Sequence, residues 1–95
     1  MKFEWDPRKA NANEEKHGVT FEEASTAFSD WDSITVPDPE HSIGEERWYL
    51  LGVSERGNLL VVCHTERGDT FRIISAWNAN RRQRNQYEEQ FKEER

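Results

Sequence analysis

Cysteine is nearly missing from this 95-residue chain, where Cys63 stands alone. A single thiol closes no internal disulfide, so the fold must hold by packing and hydrogen bonding. No apolar run approaches the roughly 20 residues that cross a bilayer, and no signal-peptide pattern opens the sequence. These absences lead us to expect a cytoplasmic protein without membrane contact. Metal-ligating patterns are lacking as well. His17, His41 and His64 are widely spaced, and no HxxxH, HExxH or CxxC pair occurs, so neither a metal nor another cofactor is expected. Neither a GxSxG elbow nor a glycine-rich phosphate loop is present.

Apolar residues are few, at 34%, and charged residues match them at 34%. Four tryptophans and five phenylalanines compensate, because each aromatic ring buries a large area. The length suits a single domain over residues 1–95 with one modest core. Charge is placed unevenly. From Thr20 to Arg47 eight acids face one arginine, whereas Phe71 to Asn85 holds four arginines and no acid. A chain of net charge −6 has no electrostatic reason to adhere to nucleic acid generally, but a local phosphate site remains open to it.

Hydrophobic spacing and punctuation give the order β-α-α-β-β-β-β-α. "KFEW" alternates as a short strand. Asp6-Pro7 starts a helix that stops at Gly18. Thr20 and Glu23 form a capping box for a second helix carrying Phe21, Ala24 and Phe28. "SITVPD" is a short strand, and Arg47–Val53, Asn58–Thr65 and Thr70–Ala76 form a meander with glycine-containing turns. Ala79 to about Lys92 is helical, with Tyr87 and Phe91 on one face. The expected fold class is α+β, a small antiparallel sheet with helices on one face.

Within the meander, pairing Val53 with Leu59 sets Arg47 opposite Thr65 and Trp48 opposite His64. Pairing Thr65 with Thr70 sets Arg72 opposite Cys63. Arg47 and Arg72 then share a face with Tyr49 and Thr65, while His64 lies on the other with Trp48, Phe71 and Ser75; a one-residue slip inverts the split. Taken singly, each arginine is read as a solvent-side strand charge, His64 as a core imidazole and Cys63 as a small buried strand residue. Together with Arg81 and Arg84, expected beside Arg72 at the start of the last helix, they suit a nucleic-acid phosphate. Trp48, Tyr49 and Trp77 are candidate stacking partners for unpaired bases.

"FEWDPRKANANEEKHGVTFEEASTAF", "DPEHSIGEERWYLLGVSERGNLLVVCHTERGDTFRIISA" and "NANRRQRNQYEE" together resemble the BrnT family of toxins from bacterial toxin–antitoxin modules. The pattern W-D-x-x-K-A-x-x-N-x-x-K-H-G-V-x-F-E-E-A occupies Trp5 to Ala24. The resemblance implies a RelE-like fold and a metal-independent endoribonuclease that arrests translation. It also implies a cognate antitoxin of ribbon-helix-helix type, through which the complex reaches operator DNA. Where the family usually reads I-S-A-R-K-A-T, this chain reads "ISAWNAN", with Trp77 in place of an arginine, so this copy is expected to be impaired.

Cleavage through the RNA 2′-OH needs a base, an acid and cationic stabilisation. The catalytic candidates are Arg72 and Arg81 as cations, with His64 or Glu66 as proton carrier and Glu46 as the alternative. Lys9, His17, Arg47, Arg84 and Trp77 are candidates for RNA binding. The competing reading is a non-catalytic module that docks the antitoxin and acts mainly in operon autoregulation.

Overall fold

The computed structural model describes residues 1–92. Five strands and three helices follow the expected order: β1 (Lys2–Glu4), α1 (Pro7–His17), α2 (Phe21–Thr26), β2 (Ile34–Pro37), β3 (Arg47–Val53), β4 (Leu59–Arg67), β5 (Thr70–Asn78) and α3 (Arg81–Lys92). Short 3₁₀ turns cover Ala27–Ser29 and Pro39–His41. The strands form one sheet in the order β1-β5-β4-β3-β2. The class is α+β as expected, but the sheet is mixed and not antiparallel throughout, because β1 pairs parallel to β5.

Helices cover both faces rather than one. On the first face, Leu50, Leu60, Val62, Ile73 and Ala76 pack against Val19, Phe21, Ala24 and Ala27 from the α1–α2 region. On the second, Leu51, Leu59 and Val61 meet Tyr87 of α3. Coverage of both faces explains the unbroken apolar run of β4, because a strand buried on each side has no solvent face to keep polar. Leu59 to Thr65 are all buried. Tyr87 is the buried residue of α3, while Phe91, expected on the same packing stripe, stays 42% exposed.

Local chemistry fixes the helix ends. Asp6 accepts from the Arg8 amide at 2.9 Å, and Gly18 closes α1 at φ 70°. Thr20 accepts from the Glu23 amide, but the Glu23 carboxylate does not complete the expected box. It accepts instead from Ser54 Oγ at 2.7 Å and Asn58 Nδ2 at 2.8 Å, tying α2 to the β3–β4 turn. A reciprocal box appears at α3, where Asn80 Oδ1 accepts from the Gln83 amide and Gln83 Oε1 from the Asn80 amide.

The β3–β4 register matches expectation from Arg47↔Thr65 to Val53↔Leu59. The next hairpin is tighter than expected. Arg67 pairs with Thr70 across Gly68-Asp69, so Arg72 lies opposite Thr65 and not Cys63. Gly68 takes φ 63° there, a conformation that side chains with a Cβ resist. A bulge follows, with Cys63 opposite Ser75 but His64 opposite Ile73. The extra residue, Ile74, moves Ser75 to the second face. A two-residue shift preserves the side of every side chain, so Arg47, Thr65 and Arg72 still share one face.

Candidate functional site

The register aligns three side chains across three strands: Arg47 on β3, Thr65 on β4 and Arg72 on β5 are successive cross-strand partners. With strands about 4.8 Å apart, the two arginine backbones flank Thr65 at a separation of about 10 Å. Arg67, two residues beyond Thr65, stands on the same face. Lys9 of α1 and the loop residues Ile43 and Glu45 complete the walls with Ile74, enclosing a hollow of about 220 Å³ on the second face.

The loop reaches the hollow because polar contacts close it. Ser42 Oγ donates to the Asp38 carbonyl at 2.6 Å and accepts from the Arg47 amide at 2.9 Å. The Asp38 amide donates to the Arg47 carbonyl at 2.9 Å, and His41 Nδ1 meets Asp38 Oδ2 at 2.8 Å. The Tyr49 hydroxyl and then His41 hold the Asp38 carboxyl below its ordinary range, against the opposing effect of burial. In return Asp38 and burial push the Tyr49 phenol up to about 12.

Charge in the hollow is partly internally paired. Arg67 grips Glu45 through both carboxylate oxygens, at 3.3 and 3.1 Å, and approaches Glu4 at 3.9 Å. Arg72 bonds the same Glu4 carboxylate. Arg67 holds the Glu45 carboxyl below its ordinary range. Among the described residues, Arg47 and Lys9 make no ion pair with a carboxylate. Four cations thus face two carboxylates, Glu4 and Glu45, leaving an excess positive charge in an acidic protein. An anion of modest size fits this excess.

Several expected site residues lie elsewhere. His64 is 1% exposed on the first face, edge-on to Phe28 and Phe71 at 4.9 and 5.7 Å between ring centroids. Burial lowers its affinity for a proton, and it is a core imidazole. Glu66 is exposed and pairs with Phe71, one step from Thr65 and so on the opposite face. Glu46 is exposed beside Arg47 and lines a separate shallow hollow with Trp48, Pro37 and Pro39. Arg81 and Arg84 are exposed on α3, which begins beyond the far end of β5. Six strand residues, about 20 Å, separate Arg72 from that end, so the arginines of the strand and the helix form two groups.

Trp77 also stands apart from the row. Its ring lies 6.1 Å from Tyr49 and 6.0 Å from His17. It lines an apolar groove of about 300 Å³ with Ile34, Val36, Tyr49, Leu51 and Val61, under Gln83 and Gln86 of α3. On its other side it borders an open hollow with Lys16, His17 and Asn78. The expectation that position 77 extends the Arg72 row therefore does not hold. Glu45 and Arg67 were missed by sequence reasoning, although alternation was available: Glu45 precedes Arg47 by two, and Arg67 follows Thr65 by two. Glu4 had no such signal, since its place opposite Arg72 depends on the parallel β1–β5 pair.

The family model described as the ribonuclease toxin, BrnT, of type II toxin–antitoxin systems matches residues 5–83. A crystal structure of the Brucella abortus ribonuclease toxin, BrnT, is similar with a TM-score of 0.67 at 24% identity. The match covers 85% of this chain and 99% of that one, and it shows the shared fold. No curated protein sequence gives a match. The family match takes in every residue of the hollow except Glu4, and the chain belongs to the BrnT family of ribonuclease toxins of type II toxin–antitoxin systems.

Proposed function

We propose that the protein is a metal-independent endoribonuclease that arrests translation by cutting RNA at the arginine-lined hollow. The observation that carries this reading is the pair of guanidinium groups, Arg47 and Arg72, set on neighbouring sides of one strand with Lys9 at the rim. Arginine meets phosphate oxygens through two parallel N–H donors, a geometry suited to an anion whose charge grows in the transition state. The RNA 2′-oxygen attacks the adjacent phosphorus, a 2′,3′-cyclic phosphate forms, and the 5′-oxygen departs, taking a proton from water. We assign the 2′-OH proton to Glu45, rather than to His64, Glu66 or Glu46, because Glu45 lines the hollow. Its hold on Arg67 keeps it ionised but also makes it a weak base. Electrostatic stabilisation by Arg47 and Arg72 therefore supplies the larger share of the rate.

Family membership implies an antitoxin partner. In our reading this is a ribbon-helix-helix protein, which brings the complex to operator DNA. Its toxin-binding segment is acidic and amphipathic, and it occupies the groove floored by Trp77. Apolar side chains enter between Ile34, Val36 and Leu51, while acids meet Arg81, Arg82 and Arg84, none of which has a carboxylate ion-pair partner among the described residues.

The test is cleavage of single-stranded RNA by purified protein in the presence of EDTA. Arg72→Ala and Arg47→Ala are expected to slow cleavage by about 10²–10³-fold with unchanged circular dichroism. Arg81→Ala is expected to leave it within a few-fold of the parent. Equal losses in all three variants would move the site away from the hollow, and activity abolished by chelator would remove the metal-independent mechanism.

A further inference from the structure

Thr65 is the one residue whose buried side-chain polar atom, Oγ1, finds no hydrogen-bond partner among the described residues. Buried hydroxyls are nearly always bonded, because an unpaired one loses its bonds to water with nothing in return. The residue is 2% exposed, and its side chain forms part of the wall of the hollow between Arg47 and Arg72. Glu45 lies close by and is bonded to Arg67, but no hydrogen bond from Thr65 to its carboxylate is completed. A β-branched residue also has a stiff side chain, so the hydroxyl is held in place by its own strand.

We propose that Thr65 Oγ1 is a direct ligand of the RNA phosphate, donating its proton to a non-bridging oxygen between the two arginines. The inference rests on the ribonuclease reading for the identity of the anion, but the subsite itself requires only a phosphate group. An arginine, a threonine and an arginine in one cross-strand row offer donors along a line about 10 Å long. A phosphate that displaces what covers Oγ1, an atom almost wholly covered in the free protein, reaches both guanidinium groups while satisfying the hydroxyl. The cost of the unpaired group is thus borne by the free protein and relieved on binding, which sharpens selection for an anion that fills the floor of the hollow.

Thr65→Val tests this, since valine keeps the shape and removes the hydroxyl, and Thr65→Ser restores a donor. The first measurement is thermal unfolding of the parent and both variants against increasing inorganic phosphate. The parent and Thr65→Ser should be protected, and Thr65→Val should need about tenfold more phosphate for the same protection. Without phosphate, Thr65→Val should melt no lower than the parent, which separates loss of a ligand from loss of the fold. A 2′-deoxy oligonucleotide, which cannot be cut, should show the same tenfold loss of affinity. Equal phosphate protection in the parent and Thr65→Val, or none in the parent, overturns the proposal. If the parent leaves RNA intact while the phosphate difference persists, the subsite stands and the ribonuclease reading fails.

Discussion

Asn13 does at one position what a sixth strand would do along a whole edge. Beyond Arg72, β5 has no strand partner on its outer side among the described residues, because β1 pairs only with Thr70 to Arg72. The Asn13 amide fills part of that gap: Nδ2 donates to the Ala76 carbonyl at 2.8 Å, and Oδ1 accepts from the Ala76 amide at 3.0 Å. The same Nδ2 donates to the Val19 carbonyl at 2.9 Å, fixing the α1–α2 connection to the sheet. Asn13→Ala should leave these three backbone groups without this partner and cost about 3 kcal/mol, read as a lower urea midpoint at unchanged slope. Asn13→Asp replaces the donor with an acceptor and should be worse still. An Asn13→Ala variant as stable as the parent would mean that water satisfies the edge equally well. In the sequence Asn13 was visible only as a motif letter; nothing in its neighbours says that a helix side chain completes a strand. The shared face of Arg47 and Arg72 was legible because strand alternation carries that information locally. The burial of His64 against Phe28 was not, since it depends on what covers that side of the sheet.

At the scale of elements, α3 is held to the sheet through few contacts, and one of them is polar. The Tyr87 hydroxyl donates to Asp30 Oδ2 at 2.5 Å, and that oxygen also accepts from the Val53 amide at 2.9 Å. Burial opposes the charge on Asp30, but the Tyr87, Val53 and Asp32 donors outweigh it and hold the carboxyl below its ordinary 3.8. A depressed carboxyl stabilises the fold above its unfolded pKa, and that contribution is lost as pH falls through the lower folded value. Tyr87→Phe should therefore cost about 1–2 kcal/mol at neutral pH, and the gap from the parent should narrow below about pH 4. A gap constant from pH 7 to pH 2.5 would show that Tyr87 acts through packing alone. The existence of α3 was legible from Tyr87 and Phe91 at helical spacing, but the face it covers was not. That depends on the β5 bulge and on the direction of the chain after Asn78, and a single extra residue such as Ile74 leaves no periodic trace. The β4–β5 turn shows the converse: its register was misread by two residues, yet the face of Arg72 survived.

Across the whole molecule, the second face of the sheet carries two different surfaces. One end is the polar hollow around Thr65; the other is the apolar groove under α3, with Trp77 in its floor. Their separation predicts that antitoxin binding and phosphate binding can be altered independently by mutation. It also changes what position 77 should report. Trp77→Arg places a guanidinium beside Tyr49 and His17 rather than next to Arg72, so RNA cleavage should change little. The same substitution puts a charge into the apolar groove and should weaken the antitoxin. At a hundredfold excess over its Kd, a partner that binds only the folded state adds about 2.7 kcal/mol, which raises the melting temperature of a domain this size by roughly 10 °C or more. The parent should gain that shift with saturating antitoxin. Trp77→Arg and Val36→Asp should gain much less at equal concentration, and Arg72→Ala should gain the full amount. If antitoxin protects Trp77→Arg as fully as the parent, the groove is not its seat. If Arg72→Ala loses protection instead, the antitoxin blocks the hollow directly, and inhibition is competition for the phosphate site itself.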